Sequence, residues 1–216
     1  MSDAGRVIAG SARGTHLRAP GAGTRPLGDR VKETLFAILE PHLAGANVLD
    51  LFAGSGAAGI EALSRGAARA TFVERDEIAA RVILENLAGT RLAGRGHVAR
   101  ADVLAYFHSR AALDGPFDLV LLDPPYAEPG LIDAVLARLG SGEPPLVTPA
   151  GWVVAKHFWR TPPRAVVGLL ASVRTRRFGE TTLTFYRPAS EPLRGAWSAE
   201  RGTSDRTNGE AEEASR

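Results

Sequence analysis

From residue 46 onward, short apolar runs alternate with longer stretches in which apolar positions recur every three or four residues. The runs at 46–51, 69–74, 97–100, 117–122 and 151–156 predict strands, and the stretches 57–65, 76–88, 102–112 and 129–139 predict helices. Alternation of this kind predicts an α/β fold with a doubly wound, Rossmann-like, mostly parallel sheet. Past Pro163 the pattern changes. Segments 166–177 and 181–187 read as two strands joined by Phe178-Gly179-Glu180, a hairpin that closes the sheet antiparallel.

Upstream, Asp29 reads as an N-cap for a helix whose apolar positions are Val31, Leu35, Phe36, Ile38 and Leu39, with Pro41 as its stop. Residues 1–27 are rich in Gly and Arg, with short apolar pieces at Val7-Ile8-Ala9 and His16-Leu17, and predict a small hairpin or an extended arm. The expected organisation is therefore a basic arm (1–27), one domain (28–188) and a polar, disordered tail (189–216).

Composition narrows the function classes. A chain of 216 residues with 44% hydrophobic content and mean hydropathy −0.06 can bury one full core. No apolar run is long enough to span a bilayer, and the N-terminus lacks a signal peptide's apolar segment. With no cysteine and five scattered histidines, neither disulfides nor metal-ligand spacing is present. The expectation is a cytoplasmic, metal-free protein. Net charge is +2, but residues 190–216 carry six acids against four arginines, so the rest is more basic than that figure suggests. Residues 4–28 and 144–179 contain no acid at all, a bias that suits either a phosphate-rich partner or a solvated arginine-rich surface.

The segment Val48-Leu49-Asp50-Leu51-Phe52-Ala53-Gly54-Ser55-Gly56 reads as a strand running into a glycine loop. Gly54, Gly56 and Gly59 spell G-x-G-x-x-G, and Glu74 ends the next strand where an acid would meet ribose hydroxyls, so a nicotinamide cofactor must be weighed. Asp50 argues against it, because a carboxylate there repels a pyrophosphate. S-adenosylmethionine has no phosphate and carries a cationic sulfonium and an ammonium, which an acid suits. The candidate cofactor residues are Asp50, Phe52, Ala53, Gly54, Gly56, Glu74, Arg75, Asp102 and Val103. Asp102 is placed to meet an adenine amino group and equally to cap the following helix.

Asp123-Pro124-Pro125-Tyr126 ends the fourth strand, where open α/β sheets bind ligands. Two prolines fix the backbone and leave carbonyls free to accept, and Tyr126 offers a face for a planar base. This is also ordinary turn chemistry. With a cofactor strand facing the same crevice, the four residues become the candidate catalytic set for an exocyclic amine.

The D-x-F-A-G-S-G loop with a D-P-P-Y strand end resembles class I S-adenosylmethionine-dependent methyltransferases that modify exocyclic amines. More closely, the chain resembles the RsmD family of 16S rRNA (guanine-N2)-methyltransferases. Arg6–Gly10 with Arg13-Gly14, Thr24–Pro26, Asp29–Glu33, Leu49–Gly56, Glu61–Ala67, Asp123–Tyr126 and Gly179–Thr181 carry the likeness, over roughly residues 5–187. Leu27-Gly28 and Lys156-His157 depart from the family pattern, the second where an acid is common. The resemblance implies methyl transfer to guanine N2 of 16S rRNA, free or in an assembling 30S subunit; a monomer is the expectation, though no residue pattern sets the oligomeric state. On that reading Arg6, Arg13, Arg25, Arg30 and Lys32 are the candidate phosphate contacts. The alternatives are a DNA adenine-N6 or cytosine-N4 methyltransferase, a protein-glutamine methyltransferase, a nicotinamide-dependent oxidoreductase and a non-catalytic rRNA-binding assembly factor. The short chain has no room for a DNA target-recognition domain, and Asp123 stands where glutamine-specific enzymes have Asn.

Overall fold

A computed structural model describes residues 3–21, 28–109, 114–125, 128 and 130–189. In chain order the elements are β1 (Asp3–Arg6), β2 (His16–Arg18), α1 (Asp29–Leu39), β3 (Asn47–Leu51), α2 (Ala57–Ser64), β4 (Arg69–Glu74), α3 (Glu77–Gly89), β5 (Gly96–Arg100), α4 (Val103–Ser109), β6 (Phe117–Leu122), α5 (Leu131–Leu139), β7 (Val147–Phe158), β8 (Val166–Val167), β9 (Leu170–Phe178) and β10 (Thr181–Pro188). Among the described residues, eight strands form one sheet in the order β5-β4-β3-β6-β7-β10-β9-β8, and β1 pairs with β2 separately. Strands β3 to β7 run parallel; β10, β9 and β8 pair antiparallel. The parallel sheet with an antiparallel C-terminal hairpin is as the alternation predicts.

Alternation within the buried strands assigns the two faces. Val48, Leu119, Leu121, Val154, Leu183 and Phe185 join one apolar cluster with α1, α2, α3 and the N-terminal arm. Leu49, Leu51, Val120, Leu122 and Val153 join the other, with α4 and α5. Because side chains alternate with period two, Asp50 and Asp123 fall on the face shared by α1 to α3. No helix among the described residues is long and apolar enough to cross a membrane.

Three boundaries differ from the periodicity. Asp29 is the first helical residue rather than the N-cap; Gly28 stands before it with no side-chain cap. Strand β7 starts earlier than residue 151. Its register shifts between Phe117↔Val147 and Leu119↔Trp152, so Pro149 and Ala150 occupy a bulge where the missing proline N–H breaks no ladder bond. The expected strand 166–177 is split at Gly168, which has φ +58 and would place a Cβ 2.3 Å from the Gly140 carbonyl oxygen. Only glycine allows that turn, and the chain folds back there into β9. Of the helix expected at 102–112, Val103–Ser109 is described; 110–113 lie outside the described residues, as does the tail from 190 onward.

Residues 3–18 are not a free arm. Ala4, Val7, Ala12 and Leu17 are buried in the same cluster as α1 and α2. Glu61, wholly buried on α2, accepts the Ile8 and Ala9 N–H groups at 2.7 and 3.1 Å, and Arg65 Nε donates to it at 2.7 Å. Ser64 adds a hydroxyl bond to the Ala9 carbonyl (2.6 Å) and takes the Ala12 N–H (2.9 Å). The Glu61–Ala67 segment that carries the family likeness is thus the dock for the N-terminal hairpin.

Candidate active site

The chain leaves β3 through a strained loop. Phe52 has φ 60, a left-handed conformation that costs a non-glycine residue about 1–3 kcal/mol, and Gly54 and Gly56 follow at φ 55 and 77. Strain of this order persists only where the surroundings enforce it, and here the loop faces a pocket. Gly59, in the first turn of α2, would place a Cβ 2.4 Å from Phe72 Cε1. Its bare Cα lets α2 lie close on the sheet, and its N–H reaches Asp50 Oδ2 at 2.8 Å.

The pocket, about 540 Å³, opens at the carboxyl ends of β3, β4 and β6, a volume within the range of small-molecule sites. Asp50, Phe52, Ala53, Gly54, Glu74, Arg75, Asp102, Val103, Asp123, Pro124 and Pro125 all line it. Gly56, from the same loop, packs instead against Ile83. Tyr126 and Arg25 lie outside the described residues.

The acids are held by backbone donors. Asp50 is only 3% exposed, and burial pushes its carboxyl up to about 8; the Gly59 N–H opposes this, while Asp123 and Glu74 add to it. Glu74 accepts the Gly54 N–H at 2.9 Å through one oxygen and the Asp76 N–H at 2.9 Å through the other. Asp102 caps α4 by accepting the Leu104 and Ala105 N–H groups at 2.9 and 3.3 Å while still lining the pocket, so both readings of that residue coexist. Two amides that a pyrophosphate would need, at Gly54 and Gly59, are therefore already bonded to carboxylates. Carboxyl oxygens rather than free N–H donors meet the glycine loop, which disfavours a dinucleotide and suits a cationic ligand.

At the end of β6, Lys156 Nζ lies 2.7 Å from each oxygen of Asp123. Lys156 is 14% exposed and Asp123 34%, the latter through the pocket mouth. Burial raises the Asp123 carboxyl and the lysine charge opposes that rise. Sequence reasoning did not select Lys156; its only signal was a basic residue where the family pattern has an acid. Arg75 and Glu128, paired at 2.9 Å, join the end of β4 to the loop after the Asp123 strand end. The arm also contributes: Ala4 and Ala19, with Leu35 of α1, line the pocket. Asn86 of α3 holds that side by bonding both Arg18 backbone groups and the Ser55 carbonyl at 2.9–3.0 Å.

The expected phosphate contacts separate. Arg13 and Arg30 are exposed. Arg6 is exposed but lies 3.7 Å from Asp29. Lys32 corrects its expectation: it is wholly buried, donates to the Arg6 carbonyl at 2.6 Å, and burial lowers its pKa. Its ammonium ties α1 to β1 and does not face solvent.

A family model described as Conserved hypothetical protein 95 matches residues 5–187. A Bacillus subtilis (strain 168) protein named "Putative rRNA methyltransferase YlbH" is 38% identical over 183 residues, which are 84% of this chain and 98% of that protein. "Ribosomal RNA small subunit methyltransferase D" of Escherichia coli (strain K12) is 41% identical over 135 residues, 62% of this chain and 66% of that one. The solved structure of "Putative methyltransferase yhhF from Escherichia coli" superposes with a TM-score of 0.73 at 32% identity, covering 86% of this chain and 98% of its own.

Proposed function

Because the chain belongs to the conserved hypothetical protein 95 family, the RsmD-like S-adenosylmethionine-dependent methyltransferases, we propose that it methylates the exocyclic N2 of a guanine in 16S rRNA of the small ribosomal subunit. The observation that carries this reading is the single crevice onto which Asp50, Glu74 and Asp102 open from one side and Asp123, Pro124 and Pro125 from the other. The residues fit the cofactor: an acid-rich glycine loop for a cation, Glu74 for ribose hydroxyls, and Asp102 with Val103 for the adenine. When bound, S-adenosylmethionine supplies a methyl group on a cationic sulfur that departs as a neutral thioether.

The chain's own task is then positioning. Asp123 and the Pro124 carbonyl accept the N–H bonds of the target amine and aim its lone pair. Lys156 orients Asp123 and opposes the protonation that burial favours. Tyr126, by its place in the sequence, gives the unstacked base a ring to lie on, worth roughly 1–3 kcal/mol. Once alkylated, the nitrogen carries a surplus proton, and Asp123 is the group that accepts it.

The test is transfer of labelled methyl to undermodified 30S subunits and to unmodified 16S rRNA, followed by nucleoside analysis. N2-methylguanosine is expected, and Asp123→Ala should lower the rate by about 100-fold or more. Equal rates would remove Asp123 from the mechanism, and label on another nucleoside would remove guanine N2. Binding of NAD rather than S-adenosylmethionine in calorimetry would return the oxidoreductase.

A further inference from the structure

Most exposed arginines near the pocket are neutralised. Arg6 faces Asp29, Arg18 pairs with Glu85 at 2.7 Å, Arg75 with Glu128 at 2.9 Å and Arg100 with Glu77 at 3.0 Å. Four others, Arg160, Arg174, Arg176 and Arg177, are exposed and have no carboxylate partner among the described residues. All four belong to the antiparallel end of the sheet, on β9 or just past the end of β7.

Their placement follows from strand register. Lys156, Leu183 and Arg176 are direct cross-strand partners on β7, β10 and β9, and Val154, Phe185 and Arg174 form the next row on the same face. Lys156, Leu183 and Val154 line the pocket, so Arg174 and Arg176 project from the pocket's own face of the sheet. At strand spacings of about 4.8 Å, the Arg176 backbone lies roughly 10 Å from that of Lys156, the partner of Asp123. Beyond Ser172, whose N–H donates to the Ala165 carbonyl, no strand among the described residues pairs with the outer edge of β9. At the strand's end Arg177 alternates to the opposite face, where the Trp159 ring holds its guanidinium at 4.0 Å and that of Arg160 at 4.8 Å. Two arginines are thus stacked in place before any ligand arrives, which lowers the entropy lost on binding.

We propose that the β9 edge, with the Arg160–Trp159–Arg177 stack, is a second RNA-binding surface, which takes the phosphodiester backbone of the strand flanking the target nucleotide. The proposal rests on the reading of the pocket as an rRNA methyltransferase site, and it puts a phosphate track opposite the N-terminal arm. A strand whose target base enters the pocket would then run between Arg30, at the start of α1, on one side and Arg174 and Arg176 on the other.

The probe is a labelled, unmodified 16S rRNA transcript, bound by wild type, Arg174→Gln/Arg176→Gln and Arg174→Lys/Arg176→Lys over a salt series. The glutamine pair should reduce the slope of log affinity against log salt by about 1.4, for two contacts to single-stranded RNA. It should also raise KM for rRNA with kcat little changed. The lysine pair should keep the slope, since counterion release counts charge. S-adenosylmethionine affinity, measured by calorimetry, should match wild type in both and reports an intact fold. Unchanged slope and KM in the glutamine pair, with wild type binding and methylating normally, would overturn this proposal and leave the pocket reading standing. Self-association of the glutamine pair with normal RNA affinity would likewise overturn it, reducing the arginines to guards of an open edge. Failure of wild type to bind or methylate the transcript or the 30S subunit would remove both.

Discussion

Asp50 and Asp123 are two carboxyls in one pocket with different supports. Asp123 has a lysine on both oxygens, whereas Asp50 has one backbone N–H and two acidic neighbours. A buried acid without a countercharge is stabilised as an anion when a cation arrives, so S-adenosylmethionine binding should expel a proton from Asp50. Affinity should therefore strengthen as pH rises toward about 8 and then level off, and calorimetry in buffers of different ionisation enthalpy reads the proton directly. Asp50→Asn should weaken binding and remove that part of the pH dependence. The same shift has an opposite effect on the unliganded fold. The Asp50 pKa in the folded chain lies above its ordinary 3.8, so its contribution to stability falls as pH rises from 3.8 to about 8. Asp50→Asn should accordingly raise the Tm of the unliganded protein above about pH 8, a gain in stability at the expense of the cofactor. A lower Tm there would contradict the assignment.

At the scale of elements, the N-terminal hairpin is held by polar bonds from one helix face. Glu61 sits under Ile8 and Ala9 with Arg65 as its countercharge, and Arg65 in turn reaches Glu40 and lies 5.3 Å over the Phe36 ring. Gly10, at φ +84, passes so close to α2 that a Cβ would meet the Ser64 carbonyl. Glu61→Ala would leave the Arg65 charge buried and two arm amides unpaired. It should destabilise the protein by about 3–5 kcal/mol, measurable by denaturant unfolding, and speed amide exchange at Ile8 and Ala9. A change under about 1 kcal/mol would mean that apolar burial alone seats the arm. The spacing of Glu61, Ser64 and Arg65 shows only that they share a face. What that face binds lies more than fifty residues away in the chain.

For the whole molecule, the consequence is one cooperative unit. A division at residue 27 is natural in composition, yet Ala4, Val7 and Leu17 share a core with Leu35, Phe36 and Ile60, and Ala4 and Ala19 line the pocket. Calorimetric unfolding should show a single transition across the arm and the sheet, shifted upward by S-adenosylmethionine. A separate low-temperature transition for the arm would divide them. Charge follows the same logic at this scale. A net charge of +2 conceals arginines that are mostly paired with acids around the pocket and, along β9, have no carboxylate partner among the described residues. The acid-free stretch 144–179 marked that region in composition, but register decided which of its arginines share the pocket's face.

The sequence by itself determined the mostly parallel sheet, the glycine loop after β3 and the four acids Asp50, Glu74, Asp102 and Asp123 at strand ends, because periodicity, glycine spacing and strand-end position are local properties. It also set Asp50 against a pyrophosphate through the sign of one charge. Only the tertiary structure decided that Lys32 is buried and bridges two elements, that Lys156 pairs with Asp123, and that Glu61 docks the arm. Each of those is a contact between residues far apart in the chain. Whether a charged side chain meets solvent, a carboxylate or a carbonyl depends on what the fold brings against it.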